Sequence, residues 1–166
     1  TARSLRVALE TADSAILLYS ASDIAMLRDT ELASHPFLSR LGPDVLDPGL
    51  DAAAIEARLQ SPAFARRRLG GLLLDQGFLA GMGNYLRTEA LFEAGVAPQR
   101  RAMDLAPAER AALARALLKV PRRSYRSRGI EPARGMRGEY LSDTPDGFRF
   151  QVFDRAGLPC PRCGTP

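Results

Sequence analysis

The chain has 166 residues, 46% of them hydrophobic and 25% charged, enough to bury a real core, so a disordered chain and a disulfide-dependent miniature scaffold are both excluded. No run approaches the roughly 18 consecutive apolar residues of a membrane span, and TARSLRVALE lacks the layout of a secretion signal. The formal charge is only +4, but it is unevenly spread: residues 100–166 carry 14 basic against 7 acidic groups, whereas residues 1–50 carry 4 against 7. The excess is densest at Arg122, Arg123, Arg126, Arg128, Arg134 and Arg137, with Glu131 the only acid among them. Such a stripe suits a polyanion or a solvated surface. One to two small domains and a cytoplasmic location are expected. The start at Thr1 and the stop shortly after Cys163 read as a fragment.

Leu5, Val7 and Leu9 alternate onto one face, ETADS supplies a turn, and Ala15 to Tyr19 form a second apolar run, which predicts a β-hairpin. Two strands alone are marginal in water, so the hairpin is expected to belong to a larger sheet. Ser22-Asp23 is placed to cap a short helix through Leu27, and HPFLSRLGPDVLDPG reads as an ordered connector. The one histidine, His35, reads as a packed or hydrogen-bonded connector residue.

From Asp51 the period becomes helical. Asp51 caps AAAIEARLQ, which ends at Ser61-Pro62. A second helix is predicted over about Phe64 to Ala80, with Leu69, Leu72, Leu73 and Leu79 inward and Asp75 within it; a third runs from Tyr85 to Ala94 and stops at Gly95. A fourth starts near Pro107 with Ala111, Ala114, Leu117 and Leu118 at helical spacing, Lys119 near its end, and Pro121 interrupting it. Phe148, Phe150 and Val152 alternate as a strand would, followed by a turn at Ala156-Gly157 and the knuckle Cys160-Pro161-Arg162-Cys163-Gly164.

Two features carry chemistry. Gly81-Met82-Gly83-Asn84 opens a helix whose unpaired N–H groups attract an anion, and glycine allows a phosphate to approach the backbone closely. Asn84 has two roles open to it, capping the helix through its oxygen or turning its amide toward a phosphate. The CPRC knuckle is half of a structural zinc set, which needs four donors. With the second pair absent, no zinc or an incompletely held ion is expected. No Ser/His/Asp arrangement exists, the cysteines lack a histidine partner, and of the i, i+4 pair Glu89 and Glu93, Glu89 reads as a helix-surface group or one that supports a site from behind, so no catalytic residue is assigned.

The segments LLLDQGFLAGMGNYLRTEALFEAGV at 72–96, HPFLSRLGPDVL at 35–46, SYRSRG at 124–129 and FRFQVFDRAGLPCPRCG at 148–164 together resemble the Fpg/Nei family of DNA glycosylases. LETADSAILLYSASDIAML and the HPFL and SYRSRG segments are more similar to its endonuclease VIII (Nei) branch than to formamidopyrimidine-DNA glycosylase. The resemblance covers essentially the whole chain. It implies a mixed, mainly α fold: closing strands of a β-sandwich over 1–34, a helix-two-turn-helix domain over 35–134, and a partial zinc ribbon over 135–166.

The resemblance further implies that Asn84, with Gly83, binds a phosphate beside the lesion, that Arg40 contacts DNA at the everted base, that Glu89 supports the binding surface, and that Cys160 and Cys163 are one zinc pair. The implied partner is damaged duplex DNA, bound by a monomer with no membrane association. The implied reaction of the whole protein is excision of oxidised pyrimidines and cleavage at the abasic site. Its nucleophile is an N-terminal proline, with the adjacent glutamate as proton donor. Neither is present here, where the first residue is Thr1, so the chain alone is expected to be inactive. A non-catalytic helix-two-turn-helix module and a purely structural domain are the competing readings.

Overall fold

A computed structural model describes residues 4–127 and 147–165. The chain divides into two compact units, Thr1–Ser39 and Arg40–Pro166. In the first, β1 (Leu5–Glu10) pairs antiparallel with β2 (Ala15–Tyr19). Thr11 donates its backbone N–H to the Ser14 carbonyl at 2.8 Å across the predicted turn. No described residue of this unit is buried. Ser22-Asp23 opens no helix; among the described residues of this unit the α-helical turn is α1 (Asp29–Leu32), where the Glu31 carboxylate accepts from the Arg28 N–H at 2.7 Å. Local side-chain acceptors, rather than apolar spacing, decide where so short a helix begins. His35 is a hydrogen-bonded connector residue: its Nδ1 accepts from the N–H of Phe37 at 3.3 Å and Leu38 at 3.4 Å, at the start of the 3-10 turn Leu38–Arg40.

The second unit holds the core. In α2 (Ala52–Gln60) the Asp51 carboxylate accepts from the Ala54 N–H at 2.8 Å, Ile55 and Leu59 are buried, and Ser61 turns extended before Pro62. The helix predicted over 64–80 does not form. Only α3 (Leu69–Leu72) is helical there, because Gly70 and Gly71 weaken propagation and the Asp75 carboxylate captures the Gly77 N–H at 2.8 Å. Leu69, Leu72, Leu73 and Leu79 are nonetheless all fully buried, as expected.

After the turn comes α4 (Asn84–Ala94), ended by Gly95 in the left-handed region at φ 69° with the Val96 N–H returning to the Leu91 carbonyl at 3.0 Å. Pro107 starts α5 (Pro107–Arg126), and the Glu109 carboxylate reaches back to the Ala106 N–H at 2.8 Å. Pro121 does not interrupt this helix, which runs five residues further. A proline inside a helix costs about 3 kcal/mol. Here the last turn is held from outside by Arg122, whose Nη2 donates to the carbonyls of Asp47 at 3.1 Å and Leu50 at 3.0 Å, and by the Tyr85 hydroxyl 2.9 Å from Ser124 Oγ. Lys119 therefore lies mid-helix, paired with Glu93 rather than with the helix end.

A candidate phosphate-binding helix end and its supports

The Gly81–Asn84 turn is built by two neighbours. The connector after Arg40 lies alongside residues 76–80: Gly42 N–H donates to the Gln76 carbonyl at 2.8 Å, Ala80 N–H to Pro43 at 2.9 Å and Val45 N–H to Ala80 at 3.1 Å. Arg58, from α2, reaches the same loop, donating to the carbonyls of Phe78 at 3.0 Å and Gly77 at 2.8 Å. This pairing sets an exposed Arg40 and the start of α4 on one loop cluster.

Gly83 is the N-cap residue and Asn84 the first helical residue, so Asn84 does not cap the helix. No side chain caps it. Asn84 is exposed, and among the described residues its amide has no partner. The N–H groups of Asn84, Tyr85 and Leu86 have no carbonyl partner there either; the first intrahelical bond is Arg87 N–H to Gly83 at 2.9 Å. Gly81 needs its glycine, with φ at 87° and Val45 Cγ2 3.2 Å from where a Cβ would lie. Gly83 does not: its φ is −124° and a Cβ there meets nothing within 4 Å.

Of the two readings open to Glu89, helix surface or support from behind, the surface one fails. Glu89 is 2% exposed, and its carboxylate takes the N–H groups of three successive tail residues. Oε1 accepts from Gln151 at 3.0 Å, Val152 at 3.0 Å and Phe153 at 2.9 Å, and Oε2 from Gln151 at 2.9 Å. Successive N–H groups of an extended strand point to opposite sides, so three converging on one carboxylate require a compact nest. That is why the strand predicted at Phe148, Phe150 and Val152 is absent among the described residues. Phe148 and Phe150 are buried all the same, in a ring cluster with Tyr85 and Phe153.

The cysteine knuckle sits at the far end of α4, which by helix rise is about 16 Å long. Arg162 lies over the Phe92 ring at 4.3 Å and beside the Gly95 cap. Gly164 N–H donates to the Cys160 carbonyl at 2.8 Å, and Cys160 N–H to Thr165 at 2.8 Å. Hydrogen bonds from the Thr165 backbone and side chain and from Cys160, aided by the charge of Arg162, hold the Cys163 thiol below the usual thiol range. That favours the thiolate a metal needs. Two thiols fit half of a tetrahedral shell, and no set of three or more donors exists among the described residues.

The arginine stripe divides. Arg122 is committed to carbonyls, Arg123 lies 4.8 Å from the Phe148 ring, and Arg126 is exposed. Arg128, Glu131, Arg134 and Arg137 lie outside the described residues. Gln76 and Arg58 were not singled out from sequence. The signal for Gln76, a glutamine between Asp75 and Gly77 just ahead of a glycine turn, is a weak one. Among the described residues, no helix is long and apolar enough to cross a membrane.

Comparison with known proteins places the chain in a family. The family model described as formamidopyrimidine-DNA glycosylase H2TH domain matches residues 41–131. Proteins named endonuclease 8 from Shigella sonnei (strain Ss046) and Enterobacter sp. (strain 638) are 53% and 54% identical to it, over 99% of this chain and 60% of theirs. The chain thus spans 60% of the length of these curated relatives. The crystal structure of MutM (Fpg) from Thermus thermophilus superposes with a TM-score of 0.75 at 31% identity, covering 98% of this chain and 61% of that one. The Lactococcus lactis Fpg complex with abasic-site DNA has a TM-score of 0.65 at 17% identity, covering 91% and 51%, a likeness of fold.

Proposed function

Because the chain belongs to the Fpg/Nei glycosylase family through its helix-two-turn-helix domain, we propose that it is the DNA-holding part of a base-excision-repair glycosylase and abasic-site lyase acting on oxidised pyrimidines in duplex DNA. The observation that carries this is Gly83. Neither its backbone angles nor its packing requires glycine, yet the missing side chain leaves three uncapped N–H groups and the free Asn84 amide open to an approaching phosphate. In this reading the helix end binds a phosphate flanking the lesion, with Asn84 as the side-chain donor, and Arg40 contributes from the neighbouring connector.

Glu89 acts indirectly. It fixes residues 151–153, and with them the knuckle, to the helix that carries Asn84. Cys160 and Cys163 serve as half of a zinc site whose remaining donors are not among the described residues. When bound, zinc would supply structural cross-linking of the tail. The domains follow as sandwich strands over 1–34, helix-two-turn-helix over 35–134 and ribbon over 135–166. We assign the covalent chemistry to none of these residues; the one lysine of the sequence, Lys119 on α5, is paired with Glu93 on α4. Borohydride trapping on a lesion duplex is expected to give no adduct with this chain.

The test is the salt-dependent affinity of the 166-residue chain for a duplex bearing a stable abasic-site analogue, beside an unmodified duplex. Phosphate neutralisation predicts a steep fall with salt. Asn84→Ala is expected to lose about 1.5–3 kcal/mol of binding, the worth of a hydrogen bond to a charged group. Gly83→Ala, at an N-cap, should cost about 1 kcal/mol of stability or less, stay folded, and bind more weakly. Equal affinity for both duplexes would favour a general nucleic-acid-binding module; salt-insensitive or absent binding would refute the proposal.

A further inference from the structure

We infer that Gln76 is a positioning residue, whose side-chain amide holds the Gly81-Met82 turn in the shape that exposes the α4 N-terminus and Asn84 to a phosphate. The inference rests on the phosphate reading of that helix end. Gln76 Oε1 accepts from the Gly81 N–H at 3.0 Å, while Nε2 donates to the carbonyls of Met82 at 2.9 Å and Leu74 at 3.2 Å. One donor and two acceptors face the amide, so only one of its two orientations satisfies all three.

The need for such a clamp follows from the backbone on either side. Ala80 is pinned to Pro43 and Val45, and Gly83 receives the first helical bond from Arg87. Between these fixed points, the backbones of Gly81 and Met82 make no hydrogen bond to other backbone among the described residues; their partner is the Gln76 side chain. Gly81 is also in the left-handed region, and glycine has more competing conformations than any other residue. Without the clamp, a two-residue hinge precedes the helix end that must meet its ligand. A half-buried glutamine with three backbone bonds removes that freedom before binding.

The experiment is a double-mutant cycle between Gln76→Met, which keeps length and loses all three bonds, and Asn84→Ala. Affinity for the abasic-analogue duplex is measured at fixed salt beside each variant's melting temperature. Gln76→Met is expected to bind about tenfold more weakly, the factor for a turn competent one-tenth of the time, and to lose clearly less when Asn84 is already alanine. Amide resonances of Gly81, Gly83 and Asn84 should shift while those of α5 stay in place.

Parent-like affinity would overturn the inference, as would a lower melting temperature with affinity unchanged, or an equal loss in both backgrounds where Asn84→Ala itself weakens binding. If Asn84→Ala binds like the parent while Gln76→Met is weakened, the Asn84 reading fails and Gln76 positions the helix N–H groups alone. If Gln76→Met does not fold, Gln76→Glu keeps the Gly81 acceptor but lacks both donated bonds at neutral pH. It is expected to show a comparable loss.

Discussion

Replacing Glu89 tests whether the tail is held to α4 by the buried carboxylate. Glu89→Gln preserves the shape and one oxygen, but removes the charge and turns an NH₂ toward the Gln151 N–H, which lies 2.9 Å from Oε2. A hydrogen bond to a charged group is worth about 1.5–3 kcal/mol against about 1 for a neutral one, so the substitution should cost about 1–2 kcal/mol. Glu89→Ala leaves the N–H groups of Gln151, Val152 and Phe153 without their acceptor. A stranded buried donor costs about 1–3 kcal/mol, but these three residues are half-buried and partly reached by water. The alanine variant is therefore expected to lose about 2–4 kcal/mol.

That loss should fall first on the tail, since the N–H groups that lose their acceptor all belong to it. Hydrogen exchange by mass spectrometry is the assay, with tryptic susceptibility at Arg149, Arg155 and Arg162 beside it. Protection of residues 148–163 should fall in the order parent, glutamine, alanine, while α5 changes little. Equal protection in all three proteins, or loss of α5 together with the tail in the glutamine variant, would refute the clamp.

Other substitutions probe the same framework. Gly42→Ala places a Cβ 2.7 Å from the carbonyl oxygens of both Gly77 and Phe78; overpacking against backbone should cost about 1–3 kcal/mol in chemical denaturation. Tyr85→Phe and Ser124→Ala should each cost about 1 kcal/mol and couple in a double-mutant cycle, because the hydroxyls share one bond. The Arg67 hydrogen bond, then the Gly77 N–H, hold the Asp75 carboxyl below its ordinary value of 3.8. A carboxyl lowered on folding stabilises above its unfolded value, and that stability is lost as pH falls through the folded one. Acid titration of stability should show this loss below about pH 4. The pair is over a third exposed on its Arg67 side, so the effect should stay under about 1 kcal/mol and flatten in Asp75→Asn.

What the sequence disclosed was mostly a matter of range. Capping by Asp51, the stop at Gly95 and the Pro107 start are each decided within four residues, and each was readable. Inward leucines were readable too, since burial follows hydropathy whatever the backbone does: Leu69 and Leu79 are buried in a segment that is not the helix they suggested. The misses depend on partners far along the chain. Pro121 is tolerated because of groups at Asp47, Leu50 and Tyr85, and the 148–152 alternation yields to a carboxylate 62 positions earlier. At the helix end, Gly83 and Asn84 stand out in the motif as candidates, whereas Gln76 does not, because a side chain bonded to backbone leaves no periodic mark.

One helix is the common mount for three parts of the chain. Tyr85 meets Ser124 on α5 and Glu89 meets Gln151 in the tail, from positions four residues apart on α4, and the exposed Asn84 stands at the start of the same helix. A hydrogen-bonded helix moves as a rod, so a change that tilts α4 should carry the last turn of α5, the tail and the helix end with it. None of the three can be retuned alone by shifting that helix.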